Sequence, residues 1–216
     1  MMNLLVAVLA AFLLLLLLVY ERREAKKFRL ITKTILSCIF VLAAFLQGSS
    51  VPSYASYVIL ALILCLVGDV CLALPGERAF QAGLVAFLLG HVFYVLSFSH
   101  LLPVVKWPLP GAVPFWILSL LIFLYLRPAL KAMVVPVAAY ILVITVMVSG
   151  AWAVLAQATF SSGGRVLIFL GAFLFYISDI FVARNQFIKG AFINRLIGLP
   201  LYYAGQFLLA FSIGLL

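Results

Sequence analysis

The chain predicts an all-α, polytopic membrane protein, an eight-helix transmembrane bundle with short loops. Of its 216 residues, 68% are hydrophobic and only 9% are charged, with a mean hydropathy of +1.35. Soluble domains carry roughly 25% charged and 45–50% apolar residues. The apolar residues form continuous runs near the ~20 residues that cross a hydrocarbon core, and the charges collect between them. Runs of this length without in/out alternation exclude an outer-membrane barrel. The same composition excludes disordered, collagenous and disulfide-scaffold chains.

The runs fall at about 3–20, 34–48, 54–74, 80–99, 112–126, 132–156, 165–184 and 196–215, and make one integral membrane domain over residues 1–216. The first has no basic residue before it, and is followed by Glu21, Arg22, Arg23, Glu24, Lys26 and Lys27. That reverses the charge order of a cleaved signal peptide, so a retained span is expected. The second run follows Lys33, and Pro75-Gly76 separates the third from the fourth. The stretch from Pro103 through Pro108 and Pro110 to Pro114 is a loop by its punctuation. Arg127 and Lys131 part the fifth run from the sixth, Arg165 opens the seventh, and Arg184 to Arg195 lead into the eighth.

This division segregates the basic residues. Arg22, Arg23, Lys26, Lys27, Arg29, Lys33, Arg78, Arg127, Lys131, Arg184, Lys189 and Arg195 fall on one side, and of the 14 only Lys106 and Arg165 fall on the other. The positive-inside rule then makes the crowded side cytoplasmic and leaves both termini outside. The formal charge of +9 belongs to span ends and implies no nucleic-acid partner. Cys38, Cys65 and Cys71 are odd in number and lie in apolar runs, as small core residues do. Shifting the chain by 110 residues overlays Gly68-Asp69-Val70-Cys71-Leu72-Ala73 on Ser178-Asp179-Ile180-Phe181-Val182-Ala183, a short match that suggests a parallel four-plus-four repeat.

In lipid the informative residues are the expensive ones, since a mid-helix carboxylate costs at least ~2.5–3.5 kcal/mol and persists only when it faces the bundle interior. Glu21, Glu24 and Glu77 are expected in loops; Asp69 and Asp179, the only aspartates, fall inside spans. Each is either a site carboxylate or a structural one paired with an Arg such as Arg78 or Arg184. Both lie about five residues, ~7–8 Å, from the basic end of spans running the same way. His91 and Tyr94 come deeper in the fourth span, and Tyr202, Tyr203 and Gln206 at intermediate depth in the eighth. The pairs His91/Tyr94 and Tyr203/Gln206 are three residues apart and project from one helix face. Together these groups imply one polar cavity open toward the cytoplasmic leaflet, with His100 outside it at the far interface.

Several chemistries lack their residues. The sequence contains no G-x-S-x-G elbow, no H-E-x-x-H zinc motif and no Gly-rich nucleotide loop, so no metal is expected. What remains is the polar cavity itself, with two carboxyls, one His, several Tyr and a Gln on its walls.

Gly68-Asp69, Phe80-x-x-Gly83-x-x-x-Phe87-x-x-x-His91-x-x-Tyr94, Gly171-Ala172-x-x-Phe175-x-x-Ser178-Asp179 and Tyr203-x-x-Gln206 together resemble the motifs of the YhhN family, the lysoplasmalogenases. The resemblance runs from about Lys33 to the C-terminus; Lys33-Thr34 departs from the Lys-Pro turn expected there. It implies an eight-span alkenylglycerophospholipid hydrolase that cleaves the vinyl ether of a lysoplasmalogen to a fatty aldehyde and a glycerophospho-alcohol. No cofactor is implied. The substrate is a lysophospholipid, and the bilayer is the protein's solvent; the bacterial inner (cytoplasmic) membrane is the expected location.

The cavity suits that reaction, since protonation of a vinyl ether gives an oxocarbenium ion that water captures, as in two-carboxylate glycosidases. Asp69 and Asp179 are the expected catalytic residues. His91, Tyr94, Tyr203, Gln206 and Ser178 are expected substrate-binding residues, with Arg184, Asn185 and Arg195 at the rim for the phosphate. A transporter using the two aspartates for proton coupling is the alternative.

Overall fold

The structure, a computed structural model, describes residues 2–107 and 109–216. Its helices are α1 (Met2–Arg22), α2 (Lys26–Phe45), α3 (Pro52–Ala73), α4 (Glu77–Leu101), α5 (Leu109–Leu130), α6 (Val134–Leu155), α7 (Ser162–Ala183) and α8 (Phe192–Ser212). The described residues contain no strand. The chain is an all-helical integral membrane protein. Lipid-facing apolar side chains, such as Leu4, Leu5, Val8, Phe12 and Leu15 on α1, are exposed, as a hydrocarbon solvent allows.

Where eight separate spans are expected, the described residues form seven helical stretches long and apolar enough to cross a membrane, one of which doubles back as two legs. The fifth and sixth are joined as one 46-residue stretch, Pro110–Leu155. A 3₁₀ turn, Lys131–Met133, connects them, and Lys131 turns the chain with φ 48°. The two legs fold back on each other: Ser119 Oγ meets Thr145 Oγ1 at 2.5 Å, and Phe115 packs edge-on against Trp152.

Two expected loops are also shorter than predicted. α2 begins at Lys26, so Lys33 and Thr34 sit inside a helix and form no turn; Thr34 Oγ1 donates to the Leu30 carbonyl at 2.8 Å. Pro114 lies inside α5, and the expected 103–114 loop contracts to a 3₁₀ turn, Val104–Lys106, and its flanks; Pro108 lies outside the described residues. Pro200 likewise sits within a continuous α8.

The packing order repeats along the chain. α3 packs most extensively on α4 and α7 on α8; α2 lies against α3 and α6 against α7; across the halves α4 meets α6 and α8 meets α2. A parallel repeat related by a two-fold axis along the membrane normal has this pattern. Small residues let α7 and α8 approach closely. A Cβ at Gly171 would stand 2.9 Å from the Gly205 carbonyl oxygen, and one at Gly205 2.7 Å from that of Gly171. The core between the halves is aromatic, with Phe40, Phe87, Phe175, Tyr202 and Phe207 in edge-to-face contacts.

Candidate active site

A cavity of about 530 Å³ opens among the helix ends that carry the basic residues, and both Asp69 and Asp179 line it. α3 and α7 present them, and the neighbouring helices supply their partners in corresponding positions. Asp69 is met by α2 and α8, and Asp179 by α6 and α4. The two nests differ in what they offer.

Asp69 is enclosed, its side chain 1% exposed, and is surrounded by donors. Lys33 Nζ stands 3.1 Å from Oδ1. Tyr202 OH donates to Oδ2 at 2.7 Å, and Ser37 Oγ donates to Oδ2 at 2.6 Å. Ser37 Oγ also lies 2.9 Å from the Lys33 carbonyl, and Tyr203 OH stands 3.2 Å from Ser37 Oγ and 3.4 Å from the same carbonyl. A charged ammonium and two hydroxyls directed at one carboxyl describe an ionised acceptor. The structural-pairing alternative for Asp69 thus has Lys33 as its partner, in place of Arg78 or Arg184.

Asp179 is more open, its side chain 16% exposed. Tyr140 OH donates to Oδ2 at 2.6 Å. His91 Nε2 lies 3.7 Å from the same oxygen. His91 Nδ1 is 2.6 Å from the Phe87 carbonyl, which only accepts, so the Nδ1 proton is committed there. Buried Nε2 has no hydrogen-bond partner among the described residues. A lone pair and a carboxyl oxygen therefore face each other, an arrangement that has a place for one proton. His91 packs at a tilt against Phe175, centroids 4.5 Å apart, and Phe175 meets Tyr202 at 5.2 Å, so an aromatic bridge links the nests.

The other expected site residues divide. Asn185 and Arg195 line the cavity. Asn185 Oδ1 also accepts the Ala191 N–H at 3.2 Å, fixing the exit of a π turn, Arg184–Ile188. Arg184 is exposed and does not line the cavity. Tyr94, Gln206, Tyr203 and Ser178 stand behind the wall. Tyr94 OH donates to Gln206 Oε1 at 2.6 Å, tying α4 to α8, and Ser178 Oγ donates to the Phe175 carbonyl at 2.7 Å.

Lys33, Ser37, Tyr140 and Tyr202 touch the carboxyls; the sequence places Tyr202 at the depth of the cavity but does not mark Lys33, Ser37 or Tyr140 as site residues. Glu21, expected in a loop, is instead buried at the end of α1 and lines the cavity. The signal for the α2 residues is a polar stripe, Arg29, Lys33 and Ser37, at i, i+4, i+8, which carries polarity from the basic end of the helix into its apolar run. The described residues hold no group of three His, Cys, Asp or Glu side chains arranged for a metal ion.

The YhhN family model matches residues 28–213. The chain belongs to the YhhN family. Human lysoplasmalogenase TMEM86B is 35% identical over 182 residues, covering 81% of this chain and 71% of its own. The mouse lysoplasmalogenase TMEM86B is 35% identical over 154 residues, 70% of this chain and 61% of the relative. The rat protein of the same name is 33% identical over 157 residues, 70% and 59%. This YhhN chain thus spans about three fifths of the rodent relatives' length. No solved structure matches it. The YhhN match includes both aspartates and every partner named above, and begins after α1.

Proposed function

We propose that the protein is a lysoplasmalogenase, hydrolysing the vinyl ether of a lysoplasmalogen by carboxyl acid–base catalysis in the cavity between Asp69 and Asp179. The relatives named for this activity support the reaction class. The observation that carries the mechanism is the contrast between two carboxyls on one cavity, one saturated with donors and the other facing a lone pair.

Asp179 is the acid. It delivers its proton to the outer carbon of the vinyl ether, leaving an oxocarbenium ion at the carbon bonded to oxygen, while His91 and Tyr140 hold the carboxyl in place. Asp69, ionised beside Lys33, takes a proton from the water that adds to this cation. The resulting hemiacetal collapses to an aldehyde as its hydroxyl proton passes to the departing glycerol oxygen, and the proton held by Asp69 is returned to Asp179. The sum is vinyl ether plus water giving aldehyde plus alcohol. Tyr203 and Ser37 orient Asp69, and the Tyr94–Gln206 pair fixes the helices behind it.

The basic cavity mouth, with Asn185 and Arg195, takes the head group. The charge segregation of the sequence supports a cytoplasmic mouth with both termini outside, in a bacterial inner membrane. Purified protein in detergent, given lysoplasmenylethanolamine, is expected to release a fatty aldehyde. A proton-coupled transporter releases none, and that result would refute the assignment.

A further inference from the structure

We infer that Arg29 and Arg195 form a phosphate subsite at the cavity mouth, with Glu21 of α1 as its resident counter-ion. This rests on the cavity binding a lysophospholipid, and names the residues that recognise its phosphodiester.

Glu21 Oε2 lies 3.1 Å from Arg195 Nη1 and 3.5 Å from Arg29 Nη1, so one carboxylate is shared by guanidinium groups from α8 and α2. All three line the cavity. Arg29 is further held by its Nη2, which donates to the Ala73 carbonyl at 3.4 Å. Its Nε is buried and has no partner among the described residues, a spare donor of the kind folded proteins rarely leave empty. Neither arginine is ion-paired with another acid among the described residues; Glu77, also on the cavity wall, is exposed, and Gln81 donates to it at 3.4 Å.

Charge balance supports the same assignment. Two guanidinium groups and one carboxylate leave one uncompensated positive charge, and a phosphodiester carries one negative charge. Binding the diester makes the cluster neutral without displacing Glu21, and the planar forks suit phosphate oxygens better than point charges would. The family match begins at residue 28, so Arg29 and Arg195 lie within it and Glu21 precedes it. The counter-ion is thus supplied by the helix outside the matched segment.

The test measures binding to the whole protein in detergent, with three probes: lysophosphatidylethanolamine, a monoacylglycerol of the same chain, and inorganic phosphate. Arg29→Ala and Arg195→Ala should each raise the Kd for lysophosphatidylethanolamine about tenfold or more and leave that for monoacylglycerol within about twofold. Glu21→Gln keeps both arginines and the side-chain shape, and should tighten the phospholipid by about threefold or more with monoacylglycerol unchanged. It also keeps the test open should an alanine variant fail to fold. Equal loss of both lipids, or loss of neither, overturns the subsite. Inorganic phosphate binding as tightly as the lysolipid assigns it to a free anion and overturns the lipid reading. Because the readout is binding, selective loss of phospholipid in a protein that releases no aldehyde would sink the proposed reaction and leave the subsite standing.

Discussion

His91 Nε2 and Asp179 Oδ2 face each other across 3.7 Å while the other ring nitrogen is committed to the Phe87 carbonyl. Asp179 is thereby distinguished from Asp69, whose oxygens meet an ammonium and two hydroxyl donors. Two like residues on pseudo-equivalent helices have been given opposite proton environments.

The first expectation concerns that asymmetry. Asp179→Asn keeps the size and the Tyr140 contact but has no acidic proton, so turnover on lysoplasmenylethanolamine should fall roughly 10²–10⁴-fold with the melting temperature near wild type. Asp69→Asn should lose a similar amount. The double variant should be little worse than the poorer single one, because residues acting as a unit are not additive. Near-normal turnover in a well-folded variant at either position would refute the two-carboxyl mechanism.

Stability separates the pair in another way. Lys33→Met removes the partner of an enclosed carboxylate and should cost about 3–5 kcal/mol, read as a lowered melting temperature in detergent. Adding Asp69→Asn removes the stranded charge, so the double variant should regain most of the stability while remaining inactive. A Lys33→Met protein as stable as wild type would show that Asp69 does not carry its charge against Lys33.

The α7–α8 contact gives a packing test remote from the chemistry. Gly171→Ala places a methyl group 2.8 Å from Leu209 Cγ and 2.9 Å from the Gly205 carbonyl oxygen, and backbone cannot step aside as a side-chain tip can. A loss of about 1–3 kcal/mol is expected, seen as a lower melting temperature. Unchanged stability would mean that the two helices are not held at this separation.

Orientation is open to direct labelling. Thr159 is exposed in the turn between α6 and α7. A cysteine placed there should react with a membrane-impermeant maleimide from outside intact cells, above the signal of the native cysteines. Labelling from the cytoplasmic face alone would invert the topology.

Much of the fold was legible because lipid makes polarity costly. Apolar runs located the helices, and the only two aspartates stood out as groups that must face the interior. The Lys26–Lys33 segment misled because its charges read as a loop, although a helix extending past the apolar run buries one face of it. The chain reversal at Lys131 was legible as a span end from Arg127 and Lys131, but hydropathy does not report that a 3₁₀ turn joins the two legs into one helical stretch. Tyr140 and Tyr202 are two of nine tyrosines, and which of them reach an aspartate depends on helix rotation in the assembled bundle, which no local pattern encodes. Glu21 was hidden for the same reason: its partners lie on α2 and α8.

The cavity's mixed wall bears on how products depart. Leu126, Val137, Ile141 and Ile144 line one part of it, while Arg195, Asn185 and Glu21 line another. On the proposed reaction, the molecule that arrives as one amphiphile leaves as two products with opposite solvent preferences. The aldehyde partitions into hydrocarbon and the glycerophospho-alcohol into water, so the fragments are separated by phase as soon as they part. Recombination then requires a meeting across the interface, so the partitioning of the products favours hydrolysis.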